Sequence, residues 1–142
     1  MKRKLAIACD HGGYSLKEAI KARFGDVEWL DLGTHSSDSV DYPEYGQKLA
    51  AAIEASEAQQ GIVICGTGIG ISIAANRNKA VRAALCTDVT MARLTRAHND
   101  ANVLALGARI IGEEVAFDIV EAFLNTEFEG GRHQRRVEKL KS

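Results

Sequence analysis

Gly61-Ile62-Val63-Ile64-Cys65-Gly66-Thr67-Gly68-Ile69-Gly70 decides the fold. Its first half is an unbroken apolar run, which reads as a strand buried on both faces. The run stops at Cys65 and enters a glycine-rich turn, from which a helix continues to about Asn76. The same signature recurs in both directions. Upstream, residues 5–9 form a short apolar strand. Residues 15–24 read as a helix with Leu16, Ala19, Ile20 and Phe24 on one side, and residues 27–32 as a second strand. A polar loop, 33–42, ends at Tyr42-Pro43, where the only proline can open a helix. That helix is expected over 45–57, with Leu49, Ala52, Ile53 and Ser56 along its stripe. Downstream come a strand over 81–86, a helix over 89–98 and a strand over 103–106 closed by Gly107. An amphipathic helix over 113–124 follows, then a short tail helix through Val137 and Leu140.

Strands alternating with helices predict an α/β fold with a parallel sheet covered on both faces. The expectation is a three-layer, Rossmann-like, doubly wound domain with five parallel strands in the order 2-1-3-4-5. A ligand then binds past the carboxyl ends of strands one and three, where the order reverses. Residues 1–142 are expected to form one domain carrying a basic tail, 129–142.

Composition narrows the classes. The chain has 142 residues, 46% hydrophobic and 26% charged, which excludes a disordered or collagen-like chain. The apolar stretch after Met1-Lys2-Arg3-Lys4 ends at Asp10, too soon for a signal peptide, and no run is long enough to span a bilayer. A cytoplasmic location is the expectation. Three cysteines and no CxxC pair imply free thiols in a reducing compartment and give no zinc motif. The net charge of −1 argues against broad nucleic-acid binding. It is unevenly spread, because residues 129–142 hold five Lys or Arg against two Glu.

Several groups carry chemistry. The amides of Gly66-Thr67-Gly68-Ile69-Gly70 can converge on negative charge at a helix N-terminus. The spacing is neither a Walker loop nor the dinucleotide GxGxxG, so a plain tight turn is the rival reading. Cys65 stands at that turn, and residues 58–87 contain no Asp or Glu. Both features favour thiolate, whereas Asp10 beside Cys9 and Asp88 near Cys86 oppose it. Packing at a strand end is the alternative for Cys65. Asp10-His11, on the other lip of the crevice, can orient hydroxyls or move a proton; Asp10 can equally cap a helix. His98 is a candidate acid and Asn99 a donor to substrate oxygen, or both simply end a helix. Arg109, Arg132 and Arg136 suit a phosphate, or the tail is a solvated charge run. No three potential ligands share a metal-binding spacing.

Five ordered blocks carry a resemblance over essentially the whole chain. They are Cys9-Asp10-His11-Gly12-Gly13, Asp41-Tyr42-Pro43, the run from Ile64 through Asn76, His98-Asn99-Asp100-Ala101-Asn102, and the run from Gly130 through Val137. The sequence resembles the type B ribose-5-phosphate isomerase family, which also includes galactose-6-phosphate isomerase subunits. The resemblance implies interconversion of ribose 5-phosphate and ribulose 5-phosphate in the non-oxidative pentose phosphate pathway, without metal or organic cofactor. Cys65, Thr67 and His98 form the implied catalytic set, with Cys65 as the proton-transfer base and His98 opening the furanose. Gly66, Gly68, Ile69 and Gly70 line the enediolate cradle. Asp10, Tyr42 and Asn99 hold hydroxyls, His11, Arg132 and Arg136 hold phosphate, and Arg109 matches a ligand-contacting position. A branch of the family uses Glu where this chain has Ile71, so the chain looks like the cysteine branch. The resemblance also implies a homodimer or homotetramer with active sites shared between chains, and no nucleic-acid or membrane partner. Other readings remain open at this point: a six-carbon substrate such as allose or galactose 6-phosphate, a nucleotide-binding enzyme, or a noncatalytic phosphosugar-binding subunit.

Overall fold

The computed structural model describes residues 3–141; Met1, Lys2 and Ser142, the ends of the expected domain and tail, lie outside the described residues. The elements are β1 (Lys4–Cys9), α1 (Tyr14–Arg23), β2 (Glu28–Asp31), α2 (Tyr42–Glu54), β3 (Gln60–Cys65), α3 (Ile69–Asn76), β4 (Ala83–Leu85), α4 (Val89–Asn99), β5 (Val103–Gly107), α5 (Glu113–Asn125) and α6 (Arg132–Leu140). A 3-10 turn, His11–Gly13, precedes α1. Helix α2 starts three residues earlier than expected, because Pro43 fits its first turn after Asp41. It also ends earlier. Ser56, expected on the apolar stripe, sits exposed beyond it with φ 60°.

All five strands are parallel, in the order β2-β1-β3-β5-β4. This corrects the expected 2-1-3-4-5 by exchanging the last two strands. Burial explains the exchange. Every residue of β5 is buried, whereas β4 has three residues, all half-exposed. A central strand loses water on both faces, so the uniformly apolar strand belongs inside and the short one at the edge. The β1/β3 reversal is unaffected by this exchange.

The crossover helices cover both faces of the sheet, with α2 packed on α3, and α5 packed on α1 and α4. Alternate strand residues feed the two resulting cores. Leu5, Ile7, Ile62, Ile64, Leu104 and Leu106 join Ile20, Ile119 and Phe123 on one face. Ala6, Ala8, Val63, Cys65 and Ala105 join Leu49, Ile53 and Ile71 on the other. Each such large side chain contributes about 1.5–3 kcal/mol on full burial.

Two polar devices complete the sheet. Lys17 of α1 is fully buried and donates to both carboxylate oxygens of Asp31 at 2.7 Å, joined there by Lys21. At the opposite edge, the Asn76 side chain accepts from the Ala83 N–H at 2.7 Å and donates to the Ala83 carbonyl at 2.9 Å. Among the described residues, no helix is long and apolar enough to cross a membrane.

Candidate active site

The β1/β3 crevice gathers much of the expected set. Cys65 ends β3 and is buried, and its Sγ accepts the Gly68 N–H at 3.2 Å. That amide is aimed at sulfur because Gly68 adopts a left-handed conformation, φ 79°. A side chain there would begin 2.6 Å from Leu85 Cδ1, so only glycine makes this turn. Thr67 is exposed, and its Oγ1 accepts the Ile69 N–H at 3.2 Å. Two amides of the glycine turn are therefore engaged within the turn itself. The Tyr42 ring packs against Gly70: a Cβ at Gly70 would stand 2.6 Å from Tyr42 Cε1. Tyr42 opens α2 and is exposed.

The other lip meets this one. Asp10 is buried, and its Oδ1 accepts the Gly13 N–H at 3.2 Å, capping the 3-10 turn. A Cβ on Gly12 would stand 3.3 Å from Asp10 Oδ1 and 3.4 Å from the Gly66 nitrogen, so the two turns abut. His11 Nδ1 accepts the Val40 N–H at 3.1 Å. With Nδ1 engaged as acceptor, the neutral ring carries its proton on Nε2 and can donate from there. Arg109 follows β5 and is exposed. Its backbone N–H donates to the Gly66 carbonyl at 2.8 Å, and its guanidinium would stand 3.4 Å from a Gly66 Cβ. Cation, thiol and turn amides thus share one end of the sheet, past the carboxyl ends of β3 and β5.

The three thiols are distinguished by their surroundings. Burial pushes Cys9 up to about 12, with Asp10 a minor contributor. Burial, then Asp88, pushes Cys86 up to about 12. Desolvation outweighs the neighbouring carboxylates that sequence pointed to.

His98, Asn99, Arg132 and Arg136 form a second group, which a single chain does not bring to Cys65. The strand register shows why. Gly61 pairs with Val103 and Cys65 with Gly107. The end of α4 leads into Val103, so it lies at the opposite end of the strands, roughly 13 Å along β3 from Cys65. Within the block at 98–102, Asp100 and Asn102 are engaged in structure. Asp100 accepts from Arg96 at 2.9 Å, and Asn102 accepts the Arg82 N–H at 2.7 Å. Asn99 is exposed, as are Arg132 and Arg136 on α6.

Two residues at this second site were not in the expected set. The His98 and His133 rings stack with centroids 4.4 Å apart and an interplanar angle of 17°. Glu129 Oε1 lies 3.5 Å from His133 Nε2 and 4.0 Å from His98 Nε2. Burial, the His98 ring and the Arg132 guanidinium push His133 down. Positions 129 and 133 lie four apart but position 98 is remote in sequence; packing of α6 and the segment before it against α4 brings the three together.

Residues 5–140 match the ribose/galactose isomerase family. The chain is 49% identical to ribose-5-phosphate isomerase B of Escherichia coli, an alignment covering 97% of this chain and 94% of that protein. It is 53% identical to the solved structure of Clostridium thermocellum ribose-5-phosphate isomerase B, with a TM-score of 0.95 over 97% of this chain and 95% of that one. It is 51% identical to a ribose 5-phosphate isomerase from Thermotoga maritima, with a TM-score of 0.96 over 99% of each chain.

Proposed function

The chain belongs to the ribose/galactose isomerase family, and from that premise we propose that it interconverts ribose 5-phosphate and ribulose 5-phosphate through a cysteine-based proton transfer. The observation that carries the mechanism is the Cys65 sulfur, held by the Gly68 amide at the meeting of two turns. An aldose–ketose shift needs a base at C2, a cradle for the enediolate and a grip on phosphate.

In this reading His98 protonates the ring oxygen as the C1–O4 bond breaks and the anomeric hydroxyl gives its proton to solvent water, which exposes the C1 aldehyde. Cys65 thiolate takes the C2 proton, and the electron pair moves through C2–C1 onto the aldehyde oxygen. The Gly66 and Gly70 amides and the Arg109 guanidinium face the negative charge that develops. The O2 proton passes to O1 as the thiol returns its proton to C1, which leaves the C1 hydroxyl and the C2 ketone of the product. Thr67 holds the turn through Ile69. Asp10, Tyr42 and Asn99 hold hydroxyls, and His11 Nε2–H, Arg132 and Arg136 hold phosphate. A six-carbon substrate is not the favoured reading, because the similar proteins named above are ribose-5-phosphate isomerases.

The distance between the two residue groups supports an assembly with shared sites. His98, Asn99, Arg132 and Arg136 of one copy complete the crevice of another in a homodimer, alone or within a tetramer. Apolar surface is available for such docking, since Ile69 and Ile73 of α3 are 53% and 55% exposed. The enzyme acts in the cytoplasm as a single domain that needs no cofactor.

The deciding experiment is an isomerase assay across five- and six-carbon sugar phosphates with wild type and Cys65→Ala. Turnover of ribose 5-phosphate, abolished in the variant, is expected. A preference for a six-carbon substrate, or full activity without Cys65, overturns the reading.

A further inference from the structure

We propose that His98, Glu129 and His133 form a binding site for a divalent transition ion, zinc above all, and that loading it inhibits the isomerase. Among the described residues this is the one grouping of three His, Cys, Asp or Glu whose donor atoms converge, all within 4.8 Å of one another. Two imidazoles and a carboxylate are borderline ligands suited to zinc, and three protein ligands leave a fourth position for water.

The distances are close to what an ion requires. Donors around tetrahedral zinc, bound at about 2.0–2.1 Å, stand roughly 3.3 Å apart. His133 Nε2 and Glu129 Oε1 are already at 3.5 Å, and His98 Nε2 is at 4.0 Å from the same oxygen. Side-chain movement closes the remainder. His133 is 7% exposed and its helix is anchored by buried Val137, so it is the fixed ligand. The His98 and Glu129 side chains are 39% and 59% exposed and can move. Because the stacked rings point their nitrogens side by side, His98 has to tilt off His133 to share an ion with it.

The backbone holds these arms in place. The Glu129 N–H donates to the Ala97 carbonyl at 3.0 Å, which fixes one ligand's residue beside the next ligand's. The His133 N–H donates to the Gly130 carbonyl at 3.1 Å, closing the turn between Glu129 and His133. Arg132 and Arg136 bring positive charge to the same corner and oppose the ion, so its affinity falls below that of a closed structural zinc site. Inhibition follows from coordination: an ion on His98 Nε2 occupies the lone pair through which that ring takes up a proton. This half of the proposal rests on the ring-opening role of His98 given above; the binding half does not.

The test is calorimetric titration of zinc chloride into metal-free wild type and into Glu129→Gln, His133→Gln and Cys65→Ser, with activity read in parallel. One zinc per chain is expected. Each of the first two substitutions should weaken binding by about tenfold or more, and Cys65→Ser should leave it unchanged. Cobalt in place of zinc should give d–d bands with no thiolate charge-transfer band. Zinc should stop wild-type turnover reversibly with EDTA, while metal-free Glu129→Gln turns over normally and resists zinc. Absence of saturable binding, binding lost in Cys65→Ser, or binding indifferent to Glu129 and His133 overturns the site. Zinc held at this triad with turnover unchanged overturns the inhibition, leaving the isomerase assignment to its own assay.

Discussion

The Gly68 N–H donates to the Cys65 sulfur at 3.2 Å, which joins the end of β3 and the turn after it into one electrostatic unit. The amide is aimed by the left-handed backbone of Gly68, whose missing side chain is replaced by Leu85 and the β5 backbone. Negative charge on the sulfur is met by a dipole the fold has already oriented.

Cys65 should accordingly be the first thiol to react. At pH 8, Cys9 and Cys86 stay protonated, since burial pushes each up to about 12. Iodoacetamide should label Cys65 fastest by peptide mass spectrometry, and bound sugar phosphate should slow it. Cys65→Ala should keep the fold and bind substrate within a modest factor while losing nearly all kcat. Labelling of Cys9 or Cys86 ahead of Cys65, with normal turnover by the variant, would move the base elsewhere, first to Asp10.

The tail arginines should act on ground-state affinity. A charged hydrogen bond to phosphate is worth about 1.5–3 kcal/mol, so Arg136→Ala should raise KM for ribose 5-phosphate by roughly tenfold or more. Ribose itself should be affected far less. Equal losses on both sugars would give Arg136 a structural role.

Separation of Cys65 from His98 makes a mixing experiment decisive. Cys65→Ala and His98→Asn chains are each expected to be inactive alone. Refolded together, random pairing into two-fold dimers should restore about a quarter of wild-type sites, because each hybrid holds one intact site. No recovery would mean that both residues act within one chain.

Asp31 predicts acid sensitivity. Burial alone would raise its carboxyl, but hydrogen bonds from Lys17, Lys21 and the Gly33 amide outweigh burial and hold it below the usual range. A depressed folded value adds stability that is full above the ordinary carboxylate pKa and is lost as pH falls through the folded value. The wild-type Tm should therefore drop as pH goes from about 5 toward 2. Asp31→Asn, which leaves buried Lys17 only the Glu18 carboxylate at 3.4 Å, should lose up to about 3–5 kcal/mol at neutral pH and show a shallower acid slope. Identical slopes in thermal melts across pH would remove Asp31 from the acid response.

Sequence disclosed the alternation of elements because each strand is a compact apolar run and each helix repeats its apolar face. It disclosed the crevice because Cys9-Asp10 and Cys65-Gly66 follow strands that become neighbours. It did not disclose strand order: residues 81–86 and 103–106 both read as strands, and the uniformly apolar character of the latter was the overlooked sign of a central position. Asp10 is engaged in capping as well as lining the crevice, a dual use that residue type alone left open. Sequence does not join His133 and Glu129 to His98, because contacts between the tail and α4 depend on packing rather than spacing.

The Asn76 side chain on the outer edge of β4 acts as a one-residue surrogate strand. It engages the N–H and carbonyl of Ala83 that an incoming chain would otherwise recruit. An open parallel sheet is prone to growth at its margins, and an unprotected edge of this kind seeds aggregation. The far margin is guarded by a short β2 with Glu28 and Asp31 at its ends. With both margins closed to strand addition, helical surfaces are what the fold leaves open to contact, and any assembly would not compete with solubility for the same hydrogen bonds.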